Sequence, residues 1–425
     1  MQEAFLHFIW QYQYFNKAAL ATVDGSTVNV IYPGMFNTDA GPDFKEAIIK
    51  IDNIEWRGNV ELHINSADWT YHRHHTDQAY NNVVLHVVWQ NNQEVKRADG
   101  SALPVVELQG LVDEKVIFDY KKLINHPSEI RCEKQLKQVS NISWLSMLDK
   151  VLMERLSVKA EVIKNLYQSN GNDWEETAYQ LLARNFGFKV NSEPFQALAQ
   201  SLPYKIIKKH ADNQLQVEAL IFGQAGLLVA ESDDAYQQAL LKEYDFLKHK
   251  YSLTSRLSAI EWRLLRLRPA NFPMVRLAQF SSVLSQMPSL FQNLLEINSI
   301  QELKKQLKVQ VSEYWQHHYQ FGTYSSKKVP TLGNSSVENI AINTIVPLLV
   351  SYGKYVDDQS FVDKAITLLQ EIKAEKNKII NHWSAIDIAV STAFDSQALI
   401  QLYNEYCTKR KCLSCNVGAS LIRRK

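Results

Sequence analysis

The spacing of apolar residues along this chain changes once, from a period of two to a period of about 3.6, and that change sets the fold class. Before residue 110, short apolar and β-branched runs recur at 27–32, 47–51, 59–64, 83–89 and 103–108, separated by Pro, Gly, Asn and Asp. They read as strands in close succession. Val23-Asp24-Gly25-Ser26 and Asp99-Gly100 supply tight-turn signals, and Phe5, Leu6, Ile9, Trp10 and Tyr12 predict a helix within residues 1–16. From Ser140 onward, Trp144, Leu145, Leu148, Val151, Leu152 and Leu156 follow the i, i+3, i+4, i+7 spacing of an amphipathic helix. Further helices are expected at 174–186, 213–230, 233–247, 257–266, 274–286, 300–318, 336–352, 359–373 and 396–406. The expectation is an α+β N-terminal domain with one bent mixed sheet, followed by an all-α helical region. The Pro-bearing stretch 267–273 is the clearest break among the helices; it either turns the chain between two helices or separates two helical subdomains, which divides the chain into 1–135, 136–268 and 269–425.

With 425 residues, 46% of them hydrophobic and 21% charged, the chain can bury two or three cores without disulfides. Its 46 Lys and Arg against 45 Asp and Glu neither demand nor exclude a polyanionic partner, so any nucleic-acid surface must be local. The opening Met1-Gln2-Glu3-Ala4-Phe5 lacks the basic and apolar regions of a secretion signal, and no run reaches the roughly 18 apolar residues of a membrane span. A cytoplasmic protein without a membrane partner is expected. Its protein partners are left open.

The most informative chemistry lies in Gly41-Pro42-Asp43-Phe44 and Gly58-Asn59-Val60-Glu61-Leu62-His63. Strand alternation points Glu61 and His63 to one face and Leu62 to the other. If the two strands pair, Asp43 reaches Glu61, and two converging carboxylates suit Mg²⁺ or Mn²⁺. Otherwise Asp43 caps a turn while Glu61 and His63 form a solvated cross-strand pair. Five of the 12 His fall between positions 63 and 86, among them His72, His74 and His86, dense enough to favour a site. These imidazoles suit a transition metal, although no zinc-protease spacing is present. Arg57 and Arg73 can neutralise a phosphate, although isolated arginines are too common to count as evidence for one.

Pro42-Asp43 followed by Glu61-Leu62-His63 resembles the PD-(D/E)xK nuclease superfamily, whose signature is an acid at one strand's start and acid-x-Lys on the next. The resemblance implies a restriction-endonuclease-like fold, metal ligation by Asp43 and Glu61, and assistance from an acid of the first helix, Glu3. His63 stands in place of the Lys and would orient or deprotonate water, without the permanent charge of Lys.

The tail carries Cys407, Cys412 and Cys415 in a C-x4-C-x2-C array, and Cys132 is the remaining cysteine. One four-thiolate centre follows, holding Zn²⁺ or a [4Fe-4S] cluster in a structural role, with three free thiols as the alternative. Some nucleases of the same superfamily carry a similar iron–sulfur clasp, with the lone Cys before the nuclease core instead of after it. Lys409, Arg410, Lys411, Arg423, Arg424 and Lys425 nearby can touch a phosphate backbone.

The runs Leu6-His7-Phe8-Ile9-Trp10, Gly41-Pro42-Asp43-Phe44, Gly58-Asn59-Val60-Glu61-Leu62-His63, Val84-Leu85-His86-Val87-Val88, Glu218-Ala219-Leu220-Ile221-Phe222-Gly223 and 266–273 together resemble a bacterial family, one of the numbered domains of unknown function. That resemblance implies no activity. Trp262, Arg263, Arg266 and Arg268 place an aromatic and several cations on or just after one expected helix; core anchors (Trp262, Phe272) beside solvated charges are the favoured reading, and a groove for a nucleic-acid strand the other. The leading expectation is metal-dependent phosphodiester hydrolysis on DNA or RNA. The alternatives are an inactive nucleic-acid-binding scaffold and a small-molecule metalloenzyme built on the His cluster.

Overall fold

The computed structural model describes residues 2–254 and 257–422. Arg423, Arg424 and Lys425, considered above for phosphate contact, lie outside them. Chain contacts gather into two units, Met1–Met147 with Leu402–Lys425, and Leu148–Gln401. The tail thus belongs with the N-terminal residues, and the expected break at Pro269 does not divide the helices.

In the first unit, helix α1 (Glu3–Tyr12) precedes strands β1 (Val28–Tyr32), β2 (Met35–Phe36), β3 (Phe44–Ile51) and β4 (Ile54–Asn65). Strands β5 (Val83–Gln90) and β6 (Val105–Glu107) complete a sheet of order β1-β3-β4-β5-β6, with β2 also paired to β3. The β3–β4 pair is antiparallel, whereas β4–β5 and β5–β6 are parallel. A parallel pair needs a crossover of a dozen or more residues. Between β4 and β5 that crossover is the histidine-rich segment 66–82, built from the short helix α2 (Asp68–Tyr71) and two 3₁₀ turns, His74–Thr76 and Gln78–Tyr80.

Alternation divides the sheet into two faces. Val60 and Leu62 of β4 and Leu85 and Val87 of β5 join Phe5, Leu6 and Ile9 of α1 in the main core. Helix α3 (Glu114–Ile124) adds Tyr120 and Leu123, and the C-terminal helix Asn416–Ile422 adds Ala419, Leu421 and Ile422. Glu61, His63, His86 and Val88 point to the other face, where Trp69, Val83 and Val88 belong to a smaller apolar cluster; a register shift between Asn59 and Val60 breaks the alternation at the start of β5. The architecture is α+β, a mixed sheet followed by helices.

The second unit is helical, and two sequence expectations are corrected there. The helix expected at 257–266 is a single 3₁₀ turn, Ala259–Glu261. Asn191 takes both backbone groups of Arg263: its Oδ1 accepts from Arg263 N–H at 2.9 Å, and its Nδ2 donates to the carbonyl at 3.0 Å. The next helical turn therefore loses its hydrogen bonds. The helix expected at 300–318 ends at Leu307, and a hairpin of His318–Gln320 with Thr323–Tyr324 follows.

Candidate metal centre

Asp43 immediately precedes β3, and Glu61 and His63 lie on β4 facing away from the main core. The two acids clasp each other's backbone. Asp43 N–H donates to Glu61 Oε2 at 3.0 Å, and Leu62 N–H donates to Asp43 Oδ2 at 3.0 Å. Parallel register places His86 of β5 directly beside Glu61. The crossover then returns over this face: Arg73 adopts a left-handed conformation at φ 63°, turning the chain between His72 and His74.

Five side chains meet as a result. His63 Nδ1 lies 2.9 Å from His86 Nε2, and His63 Nε2 lies 3.1 Å from His72 Nδ1 and 3.7 Å from Glu61 Oε1. His74 Nε2 approaches the same Glu61 oxygen at 3.3 Å, without hydrogen-bond alignment. One ligand atom from each of His63, His72 and His74 falls within 4.8 Å of the other two. An ion about 2.1 Å from two nitrogens, at tetrahedral or octahedral angles, holds them about 3.0–3.4 Å apart. The 3.1 Å separation of His63 and His72 suits such an ion.

Electrostatics agrees with that geometry. Burial, then the neighbouring His74 and His72, pushes the His63 pKa down to about 3, and burial holds His86 well below the usual imidazole range. Neutral imidazole is the metal-ligating form. Burial raises Glu61, an effect opposed by His74 and by the N–H of Asp43. Tyr80 stacks on His74 with ring centroids 3.8 Å apart, and its hydroxyl is pushed up to about 12 by burial and then by Glu61.

Two groups of α1 extend the site. His7 Nε2 lies 3.2 Å from Asp43 Oδ2. Glu3, one turn earlier, has a raised pKa through burial and then through Asp43. His7 was missed in the sequence, although Glu3 and His7 are spaced i, i+4 and so share one helix face.

The arginines stand apart from this cluster. Arg57 is exposed, pairs with Glu55 at 3.0 Å and lies four residues from Glu61 along an extended strand. Arg73 contributes its backbone turn, and its side chain is exposed. Arg266 and Arg268 belong to the second unit and are exposed. Trp262 is a core anchor whose indole N–H donates to the Ala225 carbonyl at 2.8 Å.

The four cysteines all belong to the first unit. Burial, then Cys415 and Cys412, holds the Cys132 thiol above its ordinary range. Burial followed by the other three sulfurs does the same to Cys407. Cys412 is pushed up to about 11, by burial and then by Cys415. Each sulfur thus feels others of the set across a space poor in water. Gly418 packs so closely on Cys412 that a Cβ there would lie 2.3 Å from the Cys412 carbonyl oxygen.

A family model described as "Protein of unknown function (DUF2851)" matches residues 3–378. No curated protein and no solved structure matches the chain. Among the described residues, no helix is long and apolar enough to cross a membrane.

Proposed function

The chain belongs to this family of unknown function, DUF2851, and from its site we propose a divalent-metal-dependent phosphodiesterase acting on DNA or RNA. The observation that carries the reading is the convergence of His63, His72 and His74 beside the Glu61 carboxylate. A phosphodiester substrate is supported by the placement of Asp43 at the start of β3 and of Glu61 and His63 on one face of β4, as in PD-(D/E)xK nucleases and their restriction-endonuclease-like fold. Of the two ions that carboxylates alone would take, Mg²⁺ and Mn²⁺, the imidazoles favour Mn²⁺.

Glu61, His63, His72 and His74 would hold the ion, which would polarise the phosphoryl group and acidify a bound water. His63, with a pKa near 3, is too weak a base for neutral pH and acts as a ligand. His86 orients it through the 2.9 Å Nδ1–Nε2 contact. The proton-transfer role passes to His7, held against Asp43.

The test is cleavage of single- and double-stranded DNA and RNA with Mn²⁺, comparing Asp43→Asn, Glu61→Gln and His72→Ala. Cleavage lost in all three supports the reading. Mn²⁺ binding without cleavage of any nucleic acid favours the inactive scaffold. A small-molecule metalloenzyme is the second reading, favoured by burial that leaves His63 2% and Glu61 5% exposed. Turnover of small phosphodiesters alone would select it.

We propose also that Cys132, Cys407, Cys412 and Cys415 hold one structural centre, supported by their mutual electrostatic coupling. One zinc at about 2.3 Å from each sulfur would draw them to about 3.7 Å. Four thiolates suit a [4Fe-4S] cluster as well as a zinc ion. Iron and sulfide in equal amounts in protein purified without oxygen would assign the cluster. Zinc alone would select the mononuclear site, and neither metal would leave free thiols.

A further inference from the structure

Arg276 in the second unit is 6% exposed, and its guanidinium meets only neutral acceptors. Nη1 donates to Gln279 Oε1 at 2.9 Å, while Nη2 donates to Asn271 Oδ1 at 2.5 Å and to Ser336 Oγ at 3.2 Å. The guanidinium stacks 4.7 Å from the Phe188 ring centre, and Nε is buried without a hydrogen-bond partner. Among the described residues no carboxylate pairs with it. A buried cation without a counter-charge is costly, and proteins ordinarily supply an anion at such a place.

Arg276 and two residues that its guanidinium bonds, Asn271 and Ser336, line a cavity of about 310 Å³. That volume reaches the lower end of the small-ligand range. Asn191, Ser335 and Asn339 bring further uncharged polar groups to the same wall, and Phe186, Phe195 and Leu267 supply an apolar one. We infer that the cavity binds a small oxyanion, phosphate or carboxylate, carried on a partly apolar body, with Arg276 as its counter-charge. Nη2 already makes two hydrogen bonds, which leaves Nε–H and one Nη1–H to donate to the anion, and the stack on Phe188 fixes the plane in which it must lie.

The experiment titrates the full-length protein with inorganic phosphate, phenyl phosphate and benzoate, reading heat of binding and thermal midpoint. At least one probe should bind and raise the midpoint, and Arg276→Gln should weaken it at least about tenfold. Ser336→Asp places a carboxylate within reach of the guanidinium, so it should raise the midpoint of the free protein and abolish the response. That second variant decides the matter if Arg276→Gln does not fold. Failure of all three probes to bind, or a folded variant of either kind that binds as the natural chain does, overturns the site. Phosphate and phenyl phosphate binding without benzoate would assign a phosphoryl ligand, and the reverse a carboxylate.

Discussion

His86 has no exposed surface, and its Nε2 lies 2.9 Å from Nδ1 of His63. In the tautomer in which His63 Nδ1–H donates to His86 Nε2, His63 presents Nε2 bare toward His72 and Glu61. His86→Leu should therefore lower Mn²⁺ affinity by about 10–100-fold, the usual effect of losing a group that orients a ligand. The change also leaves the buried His63 Nδ1–H without an acceptor, so the folded protein should lose about 1–3 kcal/mol of stability. Titration calorimetry with Mn²⁺ and urea denaturation measure the two effects separately. In the second unit, Lys159 has its pKa pushed down to about 8, by burial and then by Arg155, and its Nζ donates to neutral Asn343 Oδ1 at 3.1 Å. An unfolded lysine keeps its proton up to about pH 10.4. Between about pH 8 and 10.4 the unfolded chain holds the extra proton, so the contribution of this group to stability rises with pH through that window. Urea denaturation across the window should show the rise in the natural chain, a flatter profile in Lys159→Met, and a more stable variant at pH 7.

At the scale of elements, the crossover between β4 and β5 performs two tasks, joining parallel strands and carrying His72 and His74 onto Glu61 and His63. The approach of the strands depends on Gly58, where a Cβ would lie 2.5 Å from both the Asn82 carbonyl oxygen and Val84 Cγ1. Gly58→Ala must push β4 from the start of β5, at a cost of about 1–3 kcal/mol. Urea denaturation should register that loss, and the shift should also weaken Mn²⁺ binding. Glu55→Ala, a change at an exposed position of the same strand, should do neither.

For the whole molecule, the consequence of the fold is that the last residues complete the first core. Ala419, Leu421 and Ile422 pack with Phe5, Leu62 and Leu123, and three of the four thiols precede them closely in sequence. A chain ending at Gln401 should lose the thermal transition of the first unit and expose apolar surface to a dye, while the helical unit, Leu148–Gln401, keeps its own transition. Calorimetry reads both. If both transitions persist unchanged, the tail is dispensable to the core.

Much of this protein was legible in the chain itself. Period-two runs marked the strands and period-3.6 runs the helices, because one-sided burial imposes those spacings locally. Alternation likewise aligned Glu61 with His63 before any pairing was known. Tertiary structure alone decided the partners: His7 reaches Asp43 from a helix 36 residues earlier in the chain, and His86 reaches His63 across a parallel strand pair. It decided also that the tail belongs to the first unit and that no helix forms at 257–266, where Asn191, distant in sequence, takes the hydrogen bonds of Arg263. Periodicity reports which face of a segment is buried, whereas the choice of neighbour is made by packing and by competing hydrogen bonds between residues far apart along the chain.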